Sequence, residues 1–344
     1  MNVLLTCAGR RNYLVEYFRT ALQGQGQVYA ADASADAPAL QVADRAFIVP
    51  PINHTNYFDR VFELCKQHQV RLLISLNDLE LMPLARQRDR FLKIGTTPVI
   101  SAPDVINTCF DKWATLEFLK RSNLAFPKTY LTLAETRKAL SQGEIDFPLV
   151  VKPRWGTASI GIEFPEDDEE LDLAYRLVKK KLKRTILADA SATDEERSVL
   201  IQEKLSGQEY GLDIINDLKG RYVTTFVKRK ISMRAGETNQ AVTVENDRLQ
   251  KLGEMMGREL SHVGNLDCDA FLTEEKCYVL EMNPRFGGGY PFSHIAGANL
   301  PAMLLAWANG NHPVACWHKV KTNIKAAKYD QLLVLKEDSD RERE

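Results

Sequence analysis

Tyr278-Val279-Leu280-Glu281-Met282-Asn283-Pro284-Arg285 is a short hydrophobic strand that ends in a carboxylate, then an amide, then a guanidinium, each one residue apart. Alternation with period two puts Glu281, Asn283 and Arg285 on one face of the strand end. Two hard oxygen donors beside a fixed cation are what a magnesium–triphosphate complex needs. Upstream, Asp267-Cys268-Asp269-Ala270-Phe271-Leu272 is a second apolar strand carrying acids, and Thr273-Glu274-Glu275-Lys276 joins the two as a hairpin. Asp269 is then expected beside Glu281, and two acids with one amide can hold Mg²⁺. Alone, the pattern reads equally well as an ordinary hairpin with solvated acids, so the rest of the chain has to decide.

The chain has 344 residues, enough for two or three domains and a substantial core. Its 44% apolar and 26% charged content is that of a soluble globular protein. A formal net charge of -1 argues against a nucleic-acid partner. Cys7, Cys65, Cys109, Cys268, Cys277 and Cys316 form no Cys-x-x-Cys pair and have no histidines at zinc-like spacing. They read as reduced core thiols of a cytoplasmic protein, although Cys268 and Cys277 lie on the two hairpin strands and a disulfide between them is conceivable. No apolar run approaches the ~20 residues of a membrane span. Val3-Leu4-Leu5-Thr6-Cys7, followed by Arg10-Arg11, is too short for a signal peptide.

Strand-like runs at 3–7, 27–32, 46–50 and 71–76 alternate with helix-like patterns beginning at Tyr13 and Tyr57. This predicts a small doubly wound parallel-sheet domain over about the first hundred residues. Gly9 is the only glycine of its first turn, so Gly-x-Gly-x-x-Gly is absent. A dinucleotide reading is therefore disfavoured, although Asp32 stands where a ribose-binding acid would. Asn77-Asp78-Leu79-Glu80-Leu81 sits at a strand's carboxyl end, where open α/β sheets bind ligands; the competing role is to cap a helix over 81–90. A helix is expected over 105–121, carrying Asp111-Lys112, and another over 167–184 with a charged exposed face. The segment 185–198 reads as a mobile loop, and the second half of the chain as rich in antiparallel sheet.

Phe147-Pro148-Leu149-Val150-Val151-Lys152-Pro153 is a strand ending in lysine that runs into a small-residue loop, Arg154 to Gly161. Gly156, Thr157, Ser159 and Gly161 can offer backbone N–H groups and hydroxyls to phosphate. It is not a Walker loop, because no Gly-Lys-Ser/Thr follows. Gln202-Glu203-Lys204-Leu205-Ser206-Gly207-Gln208-Glu209 joins a strand end to two acids, a cheap way to read a purine edge and a ribose. Lys228, Arg229, Lys230 and Arg234 cluster before a glycine turn and call for an anion. Gly287-Gly288-Gly289 lets backbone come close to a ligand or lets a loop move. His294 after it could touch substrate, but capping a helix is the favoured role.

In this order the motifs resemble the ATP-grasp superfamily: Asp-Lys, Val-Val-Lys-Pro with its glycine loop, Gln-Glu-Lys-Leu-x-Gly-x-Glu, the acid strand and Glu-Met-Asn-Pro-Arg. The resemblance covers nearly the whole chain and is nearest to stand-alone relatives of the carbamoyl-phosphate synthetase large chain and biotin carboxylase. It implies an α/β plus α+β protein: an N-terminal doubly wound parallel-sheet domain (1–104), a connecting helix (105–125), and a two-lobed ATP-grasp fold. The lobes would be a small lid (126–204) and a larger lobe with the metal site (205–335), followed by a charged tail (336–344) expected to be disordered.

The resemblance also implies ATP with Mg²⁺ or Mn²⁺. Lys112 and Lys152 would bind the phosphates, with the loop Arg154, Gly156, Thr157, Ser159 and Gly161 closing over them. Glu203, Lys204 and Leu205 would read adenine, and Glu209 ribose; Lys230 joins the nucleotide set. Asp269, Glu281 and Asn283 would hold metal; Asp267 competes with Asp269, which is preferred for its pairing with Glu281. Arg285, Lys152 and Arg234 would be catalytic. The implied activity is an ADP-forming carboxylate–amine ligase working through an acyl phosphate on small molecules, an amino acid or small peptide fitting the charges. Arg229, Lys230, Arg234 and Asn77–Glu80 are the candidate readers of those substrates. A kinase that releases the acyl phosphate and a non-catalytic ATP sensor are the alternatives, and a homodimer is conceivable.

Overall fold

The computed structural model describes residues 1–156 and 161–335. Strands β1 (Asn2–Thr6), β2 (Val28–Asp32), β3 (Arg45–Ile48), β4 (Val70–Ser75) and β5 (Thr97–Pro98) form a parallel sheet in the order β3-β2-β1-β4-β5. Helices α1 (Asn12–Leu22), α2 (Pro38–Val42), α3 (Tyr57–Gln67), α4 (Asp78–Arg86) and α5 (Arg88–Lys93) are interleaved with it. Val3, Leu4 and Leu5 are fully buried, as a sheet covered on both faces requires.

The carboxyl edge of this sheet is occupied by its own side chains. Asp32 accepts from the backbone N–H of Gly9 (2.8 Å) and of Ser34 (3.0 Å), so it braces the first turn. Glu80 is fully buried and accepts from Thr6 Oγ1 (2.7 Å) and Tyr57 OH (2.7 Å), with Ser75 Oγ also on it. Asn77 caps α4 through Leu79 N at 3.0 Å. The helix expected over 81–90 is thus two helices, and it starts earlier, at the cap.

The continuous helix expected over 105–121 is broken. Helix α6 (Pro103–Phe110) stops at Asp111, whose backbone is extended, and α7 (Lys112–Arg121) restarts with the Asp111 carboxylate accepting from Trp113 N at 2.9 Å. An aspartate whose side chain can cap the next helix competes with helix continuation. The break also lets Asp111 bridge to Trp155.

Strands β6 (Thr129–Tyr130), β7 (Leu149–Pro153) and β8 (Val199–Glu203) form an antiparallel sheet in the order β6-β8-β7, with α8 (Leu133–Ser141), α9 (Asp168–Leu182) and α10 (Ala188–Ala192) beside it. Thr132 and Glu135 make a reciprocal capping box at α8, and Asp167 caps α9. Three acids in the first turn of α9 and three lysines in its last complement the helix dipole. The expected mobile loop at 185–198 holds α10 and a 3-10 turn at Glu195–Arg197. Leu187 at its start is buried against Gly156, where a Cβ would come within 2.6 Å of its side chain.

The third sheet is antiparallel, in the order β13-β12-β9-β10-β11-β14. Its strands are β9 (Gln208–Asn216), β10 (Tyr222–Arg234), β11 (Glu237–Thr243), β12 (Gly264–Leu272), β13 (Cys277–Asn283) and β14 (Lys325–Ala327). Helix α11 (Asp247–Leu260) covers one face through Leu249, Leu252 and Met256, and α12 (Tyr290–Ile295) and α13 (Leu300–Ala308) follow the glycine run. One apolar core joins the first sheet to the third: Leu14 and Phe18 of α1 pack with Phe286, Tyr290, Leu300, Met303 and Leu304. Each such side chain contributes roughly 1.5–3 kcal/mol by burial. This core holds the turn after β1 against the loop after β13. All six cysteines are free thiols; Cys268 lies opposite Met282, and Cys277 opposite Leu272.

Candidate active site

The β12–β13 hairpin sets Asp269 opposite Glu281 and Asp267 opposite Asn283. The register shifts beside Asp269, leaving Leu280 as an extra residue on β13. That bulge lets Val279 and Met282, three apart, both enter the core, with Glu281 and Asn283 alternating with Met282 on the other face. Asn283 donates to Glu281 Oε1 at 3.0 Å, while its own amide oxygen is buried with no hydrogen-bond partner. A buried acceptor left without a donor is costly unless something electropositive meets it. Glu281, Asn283 and Asp269 offer only hard oxygens and so fit Mg²⁺, which waters and phosphate oxygens would have to complete. Among the described residues no three His, Cys, Asp or Glu side chains gather as a metal cluster, so a metal held here would draw on the amide as well as the acids.

In this structure Asp269 is bonded to Lys230 Nζ at 2.7 Å, and the same ammonium holds Glu209 Oε1 at 2.7 Å. Burial opposes the Lys230 charge, but Asp269 and Glu209 more than offset it and raise its pKa. Lys230 thus holds these two acids together. Asp267 instead faces Arg285 at 3.4 Å, so each of the two aspartates of β12 has its own cation. Burial pushes the Asp267 carboxyl above the usual range and the guanidinium pulls it back.

Arg285 is nearly buried, and through Nη2 (2.9 Å) and Nε (3.1 Å) it grips Asp78 at the start of α4. It therefore ties the third sheet to the first. Lys152, on β7, is 8% exposed and makes no ion pair or hydrogen bond to a described residue. Burial, aided by the neighbouring Lys112 charge, depresses its pKa to about 8, with Glu281 and Asp269 pulling the other way. A buried ammonium in that state is poised for an anion. Lys112 opens α7, and its ammonium donates to the Gly156 carbonyl.

At the far end of β8, Glu203 Oε1 accepts from Lys128 N at 2.8 Å. Lys204 is exposed, 5.6 Å from the centre of the Phe164 ring, and Leu205 is half-buried. The backbone of Lys204 and Leu205 makes no hydrogen bond to the described residues, leaving a free polar edge beside the Glu203 strand end.

Two expected site residues are not brought to this cluster. Arg154 forms a two-bond pair with Asp111, both at 2.8 Å, and a third contact to Asp194 at 3.1 Å, so its guanidinium is committed to the base of the loop. Arg234 lies at the tip of the β10–β11 hairpin, its side chain 63% exposed and paired with Asp330 at 2.8 Å. The strand outruns its buried portion by several residues, which carries Arg234 away from the acids. Of the expected readers at 77–80, Asn77 is a helix cap, Asp78 holds Arg285 and Glu80 is buried among hydroxyls. Gly161 has φ +69 and only van der Waals neighbours, whereas Thr157 and Ser159 lie outside the described residues, as does the tail at 336–344.

Sequence reasoning missed the pair beneath the site. Lys228 Nζ meets Asp213 Oδ2 at 2.7 Å with both side chains essentially inaccessible, and the Ser293 hydroxyl donates to the same oxygen. Asp213 lies opposite Asp267 on β12. A Cβ on Gly289 would come 2.7 Å from Lys228 Cε, and one on Gly287 would come 2.0 Å from the Asp267 carboxyl carbon. Two of the three glycines therefore admit these side chains. The available signal was a lone acid inside the apolar run Leu212-Asp213-Ile214-Ile215. His294 stacks on Tyr17 with centroids 3.6 Å apart, shares a hydrogen bond with Tyr290, and is held neutral by burial, which lowers its pKa to about 4.

The chain belongs to the ATP-grasp domain family, whose model matches residues 109–289, and its first part matches the PylC-like N-terminal domain over residues 3–100. A curated relative, the carbamoyl phosphate synthase large chain of Mesorhizobium japonicum, is 23% identical over 222 residues, which is 59% of this chain and 19% of the relative. The chain thus spans about a fifth of that relative's length. Among solved structures, the biotin carboxylase domain of Hydrogenobacter thermophilus 2-oxoglutarate carboxylase, in complex with MgADP, ADP and bicarbonate, is similar with a TM-score of 0.73 at 16% identity, covering 94% of this chain and 73% of that one. The ADP complex of the purK N5-carboxyaminoimidazole ribonucleotide synthetase gives a TM-score of 0.69 at 14% identity, covering 94% and 80%. The L-amino acid ligase of Bacillus licheniformis gives 0.63 at 18%, covering 88% and 73%. At these identities the solved structures speak for the fold.

Proposed function

We propose that this protein is an ADP-forming carboxylate–amine ligase that makes an amide or peptide bond through an acyl phosphate. The observation that carries the reading is Lys152, a buried ammonium without a bonded partner among the described residues, with Lys112, Glu281 and Asp269 as charged neighbours and Asn283 bonded to Glu281. Cations and a hard-oxygen set with one unsatisfied amide are what a triphosphate with its metal demands.

In this reading Lys152 and Lys112 hold phosphate oxygens, Glu203 and the free backbone edge at Lys204–Leu205 receive the adenine, and Glu209 the ribose. Glu281, Asn283 and Asp269 would hold Mg²⁺, for which Lys230 would have to release Asp269 and would be left to pair with a phosphate. When bound, the metal neutralises charge on the transferring phosphoryl group. Arg285, fixed by Asp78, stabilises that group as the substrate carboxylate attacks it. Residues 126–204 act as the closing lobe, excluding water while the amine captures the acyl phosphate.

The test uses Mg²⁺–ATP, hydroxylamine and pooled amino and carboxylic acids. ADP together with a hydroxamate is expected, and Glu281→Gln loses both while keeping the wild-type far-ultraviolet spectrum. AMP with pyrophosphate would reject phosphoryl transfer in favour of adenylation.

A further inference from the structure

The turn after β1, the start of α1, the glycine loop after β13 and the tip of β11 meet at the junction of the first and third sheets. Arg11 lies there without a carboxylate partner among the described residues. Its Nη1 is held by the carbonyls of Leu76 (2.7 Å) and Phe286 (3.3 Å), one from each side of the junction. Two carbonyls fix the guanidinium without neutralising it, and its other N–H groups remain for an anion.

Next to it stands the Tyr13 phenol, which makes no hydrogen bond to a described residue. Burial raises its pKa to about 12, and the charges that act on it are those of Arg11, Glu237 and Arg285. A phenol set among a free guanidinium, a carboxylate and the Arg285 guanidinium is placed to donate to a ligand oxygen. Glu237 reaches the same space from β11. A Cβ on Gly288 would lie 2.9 Å from its carboxyl carbon, so the glycine loop passes against it. Lys328 takes one oxygen of Glu237 at 2.9 Å, while Arg10 and Arg11 also hold its pKa down. The other oxygen, Oε1, carries no hydrogen bond to a described residue.

A fixed cation with a hydroxyl donor on one side and a carboxylate with a free oxygen on the other is complementary to a zwitterion. We propose that this junction receives the amine-bearing substrate, and that this substrate is an α-amino acid whose carboxylate meets Arg11 and Tyr13 and whose ammonium meets Glu237. The inference rests on the ligase reading and adds the substrate class and the residues that read it. None of Arg11, Tyr13 and Glu237 was among the expected readers; the Arg234 and Asn77–Glu80 side chains, which were, are committed elsewhere. Arg285, whose charge acts on Tyr13 and which lies 3.4 Å from Asp267, joins this junction to the acids of the third sheet.

Removing Arg11 would loosen the junction, so Tyr13→Phe and Glu237→Gln carry the test. The full chain is given Mg²⁺–ATP and the acid that yields hydroxamate. Capture by hydroxylamine is then compared with capture by common L-amino acids, their carboxamides and their N-acetyl derivatives. The wild type is expected to use free amino acids and reject both blocked series. In each variant the ratio of amino-acid kcat/KM to hydroxylamine kcat/KM is expected to fall about tenfold or more, through KM for the amino acid, as for loss of a hydrogen bond to a charged group. Carboxamides used as well as free amino acids, no amino acid captured, or an unchanged ratio in both variants would each overturn the inference and leave the ligase reading standing. Absence of any hydroxamate would instead defeat the ligase reading itself.

Discussion

Replacing Lys152 by methionine tests the electrostatics of the site without ligand. The ammonium pKa falls from 10.5 to about 8 on folding, driven first by burial and then by Lys112. At 1.36 kcal/mol per pKa unit, this is a penalty of about 3 kcal/mol borne by the nucleotide-free protein wherever both states are protonated, that is, below about pH 8. Between that pH and the unfolded value the unfolded chain binds more protons, so stability rises as the pH climbs through this window and the penalty disappears above it. Methionine fills a similar apolar volume without charge. Lys152→Met is therefore expected to be more stable than wild type at pH 7 by up to about 3 kcal/mol, and to lose the rise in stability between about pH 8 and 10.5. It should also lose protection by Mg²⁺–ATP and ADP formation, because in the proposed function the ammonium that burial disfavours is the one that meets phosphate. Urea unfolding at several pH values, with and without Mg²⁺–ATP, reads all of these except turnover. A methionine variant less stable than wild type at pH 7, or one with the wild-type pH slope, would refute the reasoning.

Two further outcomes follow from buried charge. Lys228→Met strands Asp213 in the core and is expected to cost about 3–5 kcal/mol. The double variant Lys228→Met/Asp213→Leu should recover most of this in urea unfolding, and a double variant as unstable as the single one would show that the pair is not the cause. Burial raises the Glu80 pKa above 4.5, against the hydrogen bonds from Ser75, Thr6 and Tyr57. The folded state then holds the extra proton above the unfolded pKa, so stability should fall as pH rises through that window. Glu80→Gln should flatten this slope, measured by thermal unfolding from pH 4 upward; an unchanged slope would point to another group.

The fold class was legible because it depends on local periods: buried runs alternating with amphipathic helices in the first hundred residues, and longer strands later. The facing of Asp269 and Glu281 was legible for a related reason, since a short turn at 273–276 determines hairpin register within a few residues. The cap at Asn77 was legible as the competing role of its segment, whereas the cap at Asp111 was missed although its signal is local, because a run of helix-forming residues on either side masks one aspartate. The sequence by itself determined which strands carry charged ends and where the glycines allow close approach. Only the tertiary structure decided how those charges pair. Arg285 meets Asp78 from 207 residues away, Arg154 meets Asp111 from 43, and Lys230 reaches Glu209 from 21. Long cationic side chains choose among several acids by distance and burial, and both quantities come into being only when the sheets dock. The same docking leaves Lys152 and Arg11 without carboxylate partners among the described residues, because buried charge is set by what surrounds a residue in space and not by what flanks it along the chain.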